Sequence, residues 1–199
     1  MHYRNQLVLT GQINDVGAYT RTNIPTSYRM GIELQSTVQP LKPLLISVSV
    51  ALSRNKINDF TEYVDDYDNG GQKSFTYSNP DIAFSPSFVG NATISYKPVA
   101  AAELSLFSKY VSRQYLDNTS NKERQLKEYF VNDLRASYTF RGSWFKEISV
   151  LAQVNNVFNI KYEPNGWTYS YLYDNAVVAD NYYYPMAGAN FMAGLNIKF

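Results

Sequence analysis

Ser27-Tyr28-Arg29-Met30-Gly31-Ile32-Glu33-Leu34-Gln35-Ser36-Thr37-Val38-Gln39 is the stretch that decides the fold. Extended, it carries Tyr28, Met30, Ile32, Leu34 and Val38 on one face and Arg29, Glu33, Gln35, Thr37 and Gln39 on the other. Successive side chains of a strand point to opposite faces, so this period of two predicts a β-strand with one apolar and one polar side. Its length meets the ~9–11 residues that a tilted strand needs to cross a bilayer. The alternation returns along the chain. Ile46, Val48, Val50 and Leu52 oppose Ser47, Ser49, Ala51 and Ser53, and Phe88, Ala92, Ile94 and Tyr96 oppose Asn91, Thr93, Ser95 and Lys97. Phe130, Leu134, Ala136, Tyr138 and Phe140 oppose Asp133, Arg135, Ser137 and Thr139. At the end, Phe191, Ala193, Leu195, Ile197 and Phe199 oppose Met192, Gly194, Asn196 and Lys198. Two segments are less regular: residues 103–111 put Phe107 on the face of Lys109, and residues 148–158 put Leu151 and Val157 among polar neighbours. With a weaker strand near residues 3–10, the pattern predicts about eight antiparallel strands and an all-β fold.

The connections sort by length. Short links at residues 40–43, 98–102 and 141–146 alternate with long ones at 11–26, 55–86, 113–127 and 159–185. Transmembrane β-barrels have this asymmetry, with short periplasmic turns and long extracellular loops, which would put the C-terminus on the periplasmic side.

Composition narrows the function. The chain has 199 residues, a formal net charge of +1, no cysteine and one histidine. A near-neutral balance supplies no basic surface for phosphates, so no nucleic-acid partner is expected. Without cysteine there is no disulfide framework, thiol nucleophile or thiolate metal site, and His2 alone makes no histidine-rich one. No Gly-x-Ser-x-Gly elbow or glycine-rich phosphate loop is present, and no carboxylate spacing singles out an acid–base pair. The expectation is neither enzyme nor cofactor nor metal. Mean hydropathy is slightly negative, and no apolar run reaches the ~18 residues of a membrane helix. A membrane barrel averages out in the same way, because its faces alternate. Residues 1–9 have neither the basic start nor the apolar run of a secretory signal and read as the inside of a strand.

The candidate ligand contacts are aromatic residues of the long links: Tyr19, Tyr63, Tyr115, Tyr162, Trp167, Tyr169 and Tyr171. Rings there can stack on a ligand such as a sugar, or can serve, with Tyr173, Tyr182, Tyr183 and Tyr184, as an interfacial girdle and loop packing. Asp65, Asp66, Asp68 and Asn69, followed by Gly70 and Gly71, offer oxygen ligands for calcium. The EF-hand spacing fails, and the run reads as a solvated turn. The mixed charges of Arg113, Lys122, Glu123, Arg124, Lys127 and Glu128 read as a solvated rim.

Several ordered motifs resemble TonB-dependent outer-membrane receptors, especially those of Bacteroidetes type. They include Gln6-Leu7-Val8-Leu9-Thr10-Gly11, Asn14-Asp15-Val16-Gly17-Ala18-Tyr19-Thr20-Arg21, Ser53-Arg54-Asn55-Lys56-Ile57 and Lys109-Tyr110-Val111-Ser112-Arg113-Gln114-Tyr115-Leu116-Asp117. Then come Val154-Asn155-Asn156-Val157-Phe158-Asn159 with Lys161-Tyr162, Asn165-Gly166-Trp167-Thr168-Tyr169-Ser170-Tyr171, Tyr183-Tyr184-Pro185 and the closing run from Asn190 to Phe199. The resemblance implies an antiparallel transmembrane barrel of 22 strands, closed by an N-terminal plug, in the outer membrane of a Gram-negative bacterium. At roughly 10 residues per strand, 22 strands need about 220 residues before any loop, so this chain is expected to hold only the last eight. On that reading residues 1–199 are the C-terminal portion of the barrel. The plug, the TonB-contacting segment, the signal peptide and the earlier strands would be absent, the gene being truncated, split or partly assembled. The implied activity of the whole receptor is uptake of a large nutrient, an iron chelate, cobalamin or a glycan, driven by proton-motive force through TonB.

The implied partners are outer-membrane lipid, the missing plug and strands, TonB by way of the plug region, and the barrel-assembly machinery. Gly194, Leu195, Ile197 and Phe199 resemble the C-terminal assembly signal, an edge strand captured by strand addition. Two alternatives stand beside this reading: a self-contained eight-stranded barrel serving as anchor or adhesin, and a soluble ligand-binding barrel. In a closed eight-stranded barrel the interior would have to pack Arg29, Glu33, Lys97, Asp133, Arg135 and Lys198. If the closing strand is an assembly signal, Phe199→Ala slows outer-membrane insertion of the full receptor; unchanged kinetics of the heat-modifiable folded form in membranes would contradict it.

Overall fold

The computed structural model describes the chain from Met1 to Phe199 except Asp15, Gly17 and Ser143 and the side chains of Gly11, Ile13 and Tyr19. The described residues form strands β1 (His2–Ile13), β2 (Tyr19–Leu41), β3 (Leu44–Ile57), β4 (Asp59–Asp66), β5 (Gln72–Ser78), β6 (Phe88–Val99) and β7 (Ala102–Val111). They continue with β8 (Gln114–Tyr115), β9 (Gln125–Leu126), β10 (Tyr129–Phe140), β11 (Glu147–Asn155), β12 (Asn165–Tyr173), β13 (Ala176–Tyr184) and β14 (Asn190–Lys198).

Eight of these make one antiparallel meander in the order β1-β2-β3-β6-β7-β10-β11-β14. They are the eight segments predicted from alternation. Their apolar face has nothing packed on it: Met30, Ile32 and Leu34 of β2, Leu52 of β3, Phe130 of β10 and Leu195 of β14 are all more than half exposed. A soluble sheet buries such a face, and apolar surface of this extent is what a bilayer covers. The opposite face is tied laterally by short polar contacts. Thr37 pairs with Ser47 at 3.0 Å, Ser95 with Ser105 at 2.8 Å, and Thr139 with Ser149 at 3.0 Å. Lys97–Glu103 and Lys198–Glu147 close ion pairs at 3.2 and 3.3 Å.

Both irregular segments have local reasons. Phe107 sits among polar residues because the Arg135 guanidinium lies over its ring, 5.0 Å from the centroid, a cation–π contact. Leu151 pairs across β14 with Gly194, where the absence of a side chain leaves it room.

Three expectations are corrected. The link at 11–26 is not a long loop, because β1 and β2 stay paired as far as Ile13 and Tyr19, leaving residues 14–18 between them. Main-chain pairing outlasts side-chain alternation there. The remaining long links are not only loops: they hold six further strands. The 58–87 link contains hairpin β4–β5 and the 156–189 link contains hairpin β12–β13. β12 then lies parallel to β4, Tyr171 beside Asp65 and Leu172 beside Asp66, giving a second sheet β13-β12-β4-β5. Lastly, the eight-stranded sheet is open. A self-contained barrel needs its first and last strands to pair, and among the described residues no ladder joins β1 to β14.

The buried apolar interior lies at the end of the meander that bears these links. Val8, Ile24, Ile57, Phe60 and Ile82 cluster there with Tyr77 against them, and Val64, Leu116, Leu126 and Leu172 are also buried. The Asn155-Asn156-Val157-Phe158-Asn159 motif anchors the last link. The Asn155 side chain donates to Asn190 at 2.8 Å. Asn156 and Asn159 adopt positive φ, 49° and 52°, a conformation that asparagine tolerates better than other side-chain-bearing residues. The Asn156 amide donates to the carbonyls of Ile160 and Ala187 and accepts from the Ile160 N–H. The Asn159 side chain accepts from Ala189 N–H at 3.0 Å and occupies the space a side chain at Gly188 would need. Asn156→Ala removes three hydrogen bonds and should destabilise the sheet by roughly 2–3 kcal/mol, read as a lower urea midpoint of the folded chain in detergent; a loss below about 0.5 kcal/mol would show that the turn holds without them.

Candidate ligand-binding site

The folded links enclose a cavity of about 210 Å³ between β1, β4, β12 and the loop joining β8 to β9. Phe60, Tyr63, Trp167 and Tyr169 supply its rings. Glu62, Asp65 and Asp117 supply carboxylates, and Thr10, Thr119, Thr168 and Ser170 supply hydroxyls. The strands explain the arrangement. β12 brings 167–170 to one wall through its parallel contact with β4, which brings 60–65 to the other. Gly166 is required beside them, since a Cβ there would lie 2.5 Å from the Tyr182 carbonyl oxygen of the paired strand.

The rings are held in place. Trp167 stacks on Tyr182 at 4.4 Å between centroids and 12° between planes. The Tyr169 hydroxyl donates to Asp65 at 2.8 Å and lies 2.7 Å from the Tyr67 hydroxyl, and Tyr171 stacks on Tyr67 at 5.1 Å. Tyr63, Trp167 and Tyr169 of the sequence-derived set therefore line one cavity, with Tyr171 bracing it from behind. Tyr115 lies apart in the β8–β9 pair, and Tyr162 packs on Tyr129 at 4.6 Å away from the cavity lining. The Tyr19 side chain is outside the described residues. Gly194, Leu195 and Ile197 lie on β14 at the edge of the meander, and Phe199 follows it, 84% exposed.

Beneath the cavity sits a residue that the sequence reading misplaced. Arg124 is not part of a solvated rim but is, among the described residues, the largest fully buried side chain, 1% exposed. Its guanidinium donates to Glu62 at 2.5 Å and to Asp117 at 2.8 Å. Tyr77 donates to the other Glu62 oxygen at 3.0 Å, and the Thr119 N–H and hydroxyl both donate to Asp117. The other members of that charge run, Arg113, Lys122, Glu123, Lys127 and Glu128, are exposed. A signal was available in the two leucines that flank this polar loop, Leu116 and Leu126, both buried.

Burial pushes the Glu62 carboxyl above its ordinary value, with Asp117 adding and Arg124 and Tyr77 pulling back. Burial works against the Arg124 charge, but the hydrogen bond to Asp117 and the field of both carboxylates outweigh it, so the guanidinium stays protonated. The Tyr77 hydroxyl is pushed up to about 12 by burial and by Glu62. A phenol whose folded value exceeds its unfolded one contributes stability that is complete below pH ~10 and lost as pH rises through ~12.

The acidic turn is occupied by the protein itself. Asp66 accepts from the N–H groups of Asp68 and Asn69, both at 3.0 Å, and pairs with Lys73 at 3.1 Å. Burial would raise its pKa, but these partners bring it below the usual aspartate value. Gly70 and Gly71 take the positive φ of the turn. Asp68 accepts the N–H groups of Asp174 and Asn175, each at 2.9 Å, tying hairpin β4–β5 to hairpin β12–β13. No group of metal-ligating residues occurs among the described residues.

An open antiparallel meander with a bare apolar face, a laterally bonded polar face and folded links gathered at one end is a section of a receptor-type membrane barrel. Residues 1–157 match the family described as TonB dependent receptor-like, beta-barrel, and the chain belongs to that family. Among solved structures it is similar to the siderophore receptor PiuA from Acinetobacter baumannii, with a TM-score of 0.72 and 16% identity over 100% of this chain and 25% of that one. It is also similar to the closed form of the ferric-catecholate import receptor Fiu from Escherichia coli K12, with a TM-score of 0.62 and 14% identity over 100% of this chain and 24% of that one. A third is the FrpB iron transporter from Neisseria meningitidis, with a TM-score of 0.60 and 19% identity over 100% and 28%. The chain thus spans about a quarter of the length of these receptors. No curated protein sequence matches it.

Arg124→Met leaves Glu62 and Asp117 buried without their cation and should cost roughly 3–5 kcal/mol, measured by urea unfolding in detergent. Adding Glu62→Gln and Asp117→Asn to that variant should recover most of the loss; a triple variant as unstable as the single one would show that packing, not charge, is what Arg124 supplies.

Proposed function

We propose that residues 1–199 form the last eight strands of a TonB-dependent outer-membrane receptor that imports a large nutrient, and that the folded links are part of its ligand-capturing surface. One observation carries this reading: the cavity stands at the long-link end of a sheet whose apolar face is bare, which is where an outer-membrane barrel meets the medium. The similar receptors are named for siderophores, ferric catecholate and iron, which supports uptake of a scarce, bulky solute as the task of the whole protein. In this reading the apolar face meets lipid and the polar face lines the lumen beside a plug carried elsewhere in the receptor, through which TonB acts. β14 ends at the short-turn end, so the C-terminus is periplasmic, and Gly194, Leu195, Ile197 and Phe199 engage the barrel-assembly machinery along the open β14 edge. Tyr63, Trp167, Tyr169 and Tyr171, together with Tyr115 and Tyr162 on the surrounding links, contact the ligand; Tyr19, the remaining candidate, begins β2. Catalysis has no part in this role.

The test is whole-cell accumulation of labelled ferric siderophores, cobalamin and oligosaccharides in the bacterium that carries the gene, against a deletion strain. One of the three accumulates in the parent only, and a protonophore abolishes the difference. Equal accumulation of all three in both strains would overturn the reading.

A further inference from the structure

We infer that the cavity takes an uncharged, hydroxyl-rich ring, the chemistry of a neutral sugar, and not an anionic iron chelate; this rests on the cavity being the receptor's ligand contact. The first argument is sign. The lining carries the carboxylates of Glu62, Asp65 and Asp117 and no lysine or arginine. Arg124 is 1% exposed and turned to Glu62 and Asp117, so it partly offsets those two carboxylates but presents no guanidinium to a ligand. An anion entering this site meets like charge with no cationic fork to receive it, the reverse of how proteins bind anionic groups.

The second argument is shape. Trp167 is held flat by Tyr182, and Tyr169 is fixed through its hydroxyl, so both present immobile ring surfaces. Flat, fixed rings beside a few polar groups suit a ligand with an apolar C–H face and a hydroxylated edge.

The third is hydrogen-bond capacity. The lining supplies the hydroxyl residues Thr10, Thr119, Thr168 and Ser170. Each ligand hydroxyl both donates and accepts, as Thr168 and Ser170 do, and the carboxylates accept. A quaternary ammonium would use the rings and the charge but none of these hydroxyls.

Calorimetry on the whole receptor that carries these 199 residues, purified in detergent with its β-sheet circular dichroism verified, separates the possibilities. The probes are neutral hexasaccharides of α-glucan, β-glucan, mannan and fructan type, ferric enterobactin, and choline. At least one hexasaccharide binds, and Trp167→Ala weakens it about tenfold or more. Thr168→Val, which keeps shape and removes only the hydroxyl, weakens it severalfold while leaving the circular dichroism unchanged. Binding of ferric enterobactin or choline, lost in Trp167→Ala, with no hexasaccharide bound, would overturn the sugar assignment and keep the cavity as the ligand contact. No heat from any probe, or hexasaccharide binding indifferent to both substitutions, would overturn the cavity reading as well.

Discussion

A bilayer offers the backbone no hydrogen-bond partners, and this constraint organises everything else in the chain. Every strand that enters it must give its N–H and C=O groups to neighbouring strands. The outcome here is a meander in which sequence neighbours are also spatial neighbours, with all eight strands antiparallel. The same constraint turns large aliphatic side chains outward and leaves serine, threonine and asparagine to bond one another on the inner face. In a soluble domain that pattern would be inverted and the apolar side would form the core. Here the sheet has no core of its own.

The hydrophobic interior lies instead at one end of the sheet, where Val8 of β1, Ile24 of β2 and Ile57 of β3 meet Phe60 and Ile82 of the links and ordinary globular rules return. Ile57, Phe60 and Val64 are packed away almost completely, and Arg124 is buried among charged partners rather than aliphatic ones. An arginine so placed is a costly way to gain stability, and its use lies in geometry. One guanidinium fixes Glu62 on β4 and Asp117 on the neighbouring link, and both carboxylates also line the cavity. The group that clamps the links therefore also sets the charge of the cavity wall.

The membrane part of the fold was legible because its signal is local. Tyr28, Met30, Ile32, Leu34 and Val38 show their common face within a dozen residues, and the eight segments found in this way are the eight strands of the meander. The links were legible only in composition. Nothing near Tyr171 announces that it lies beside Asp65, and nothing in the run from Lys122 to Glu128 separates Arg124 from its exposed neighbours except the flanking leucines. Long-range pairing without alternation leaves no period to detect. Phe107 and Leu151 show the reverse case: each breaks the alternation, and each is resolved by one specific neighbour, Arg135 or Gly194. Of the seven aromatic positions singled out by residue type, three line the cavity and a fourth braces it, and only the topology of the links separates these from the rest.

The parallel contact between β4 and β12 has a bearing on the order of folding. It joins residues separated by about half the chain, as in the bond from Tyr169 to Asp65 across 104 positions. Contacts of such separation form late, after the local pairings have shortened the path between their ends. β6, β7, β10 and β11 lie between them in sequence, and these strands zip from neighbour to neighbour. The cavity wall therefore depends on the sheet as well as on the two hairpins, because the meander is what brings β4 and β12 side by side.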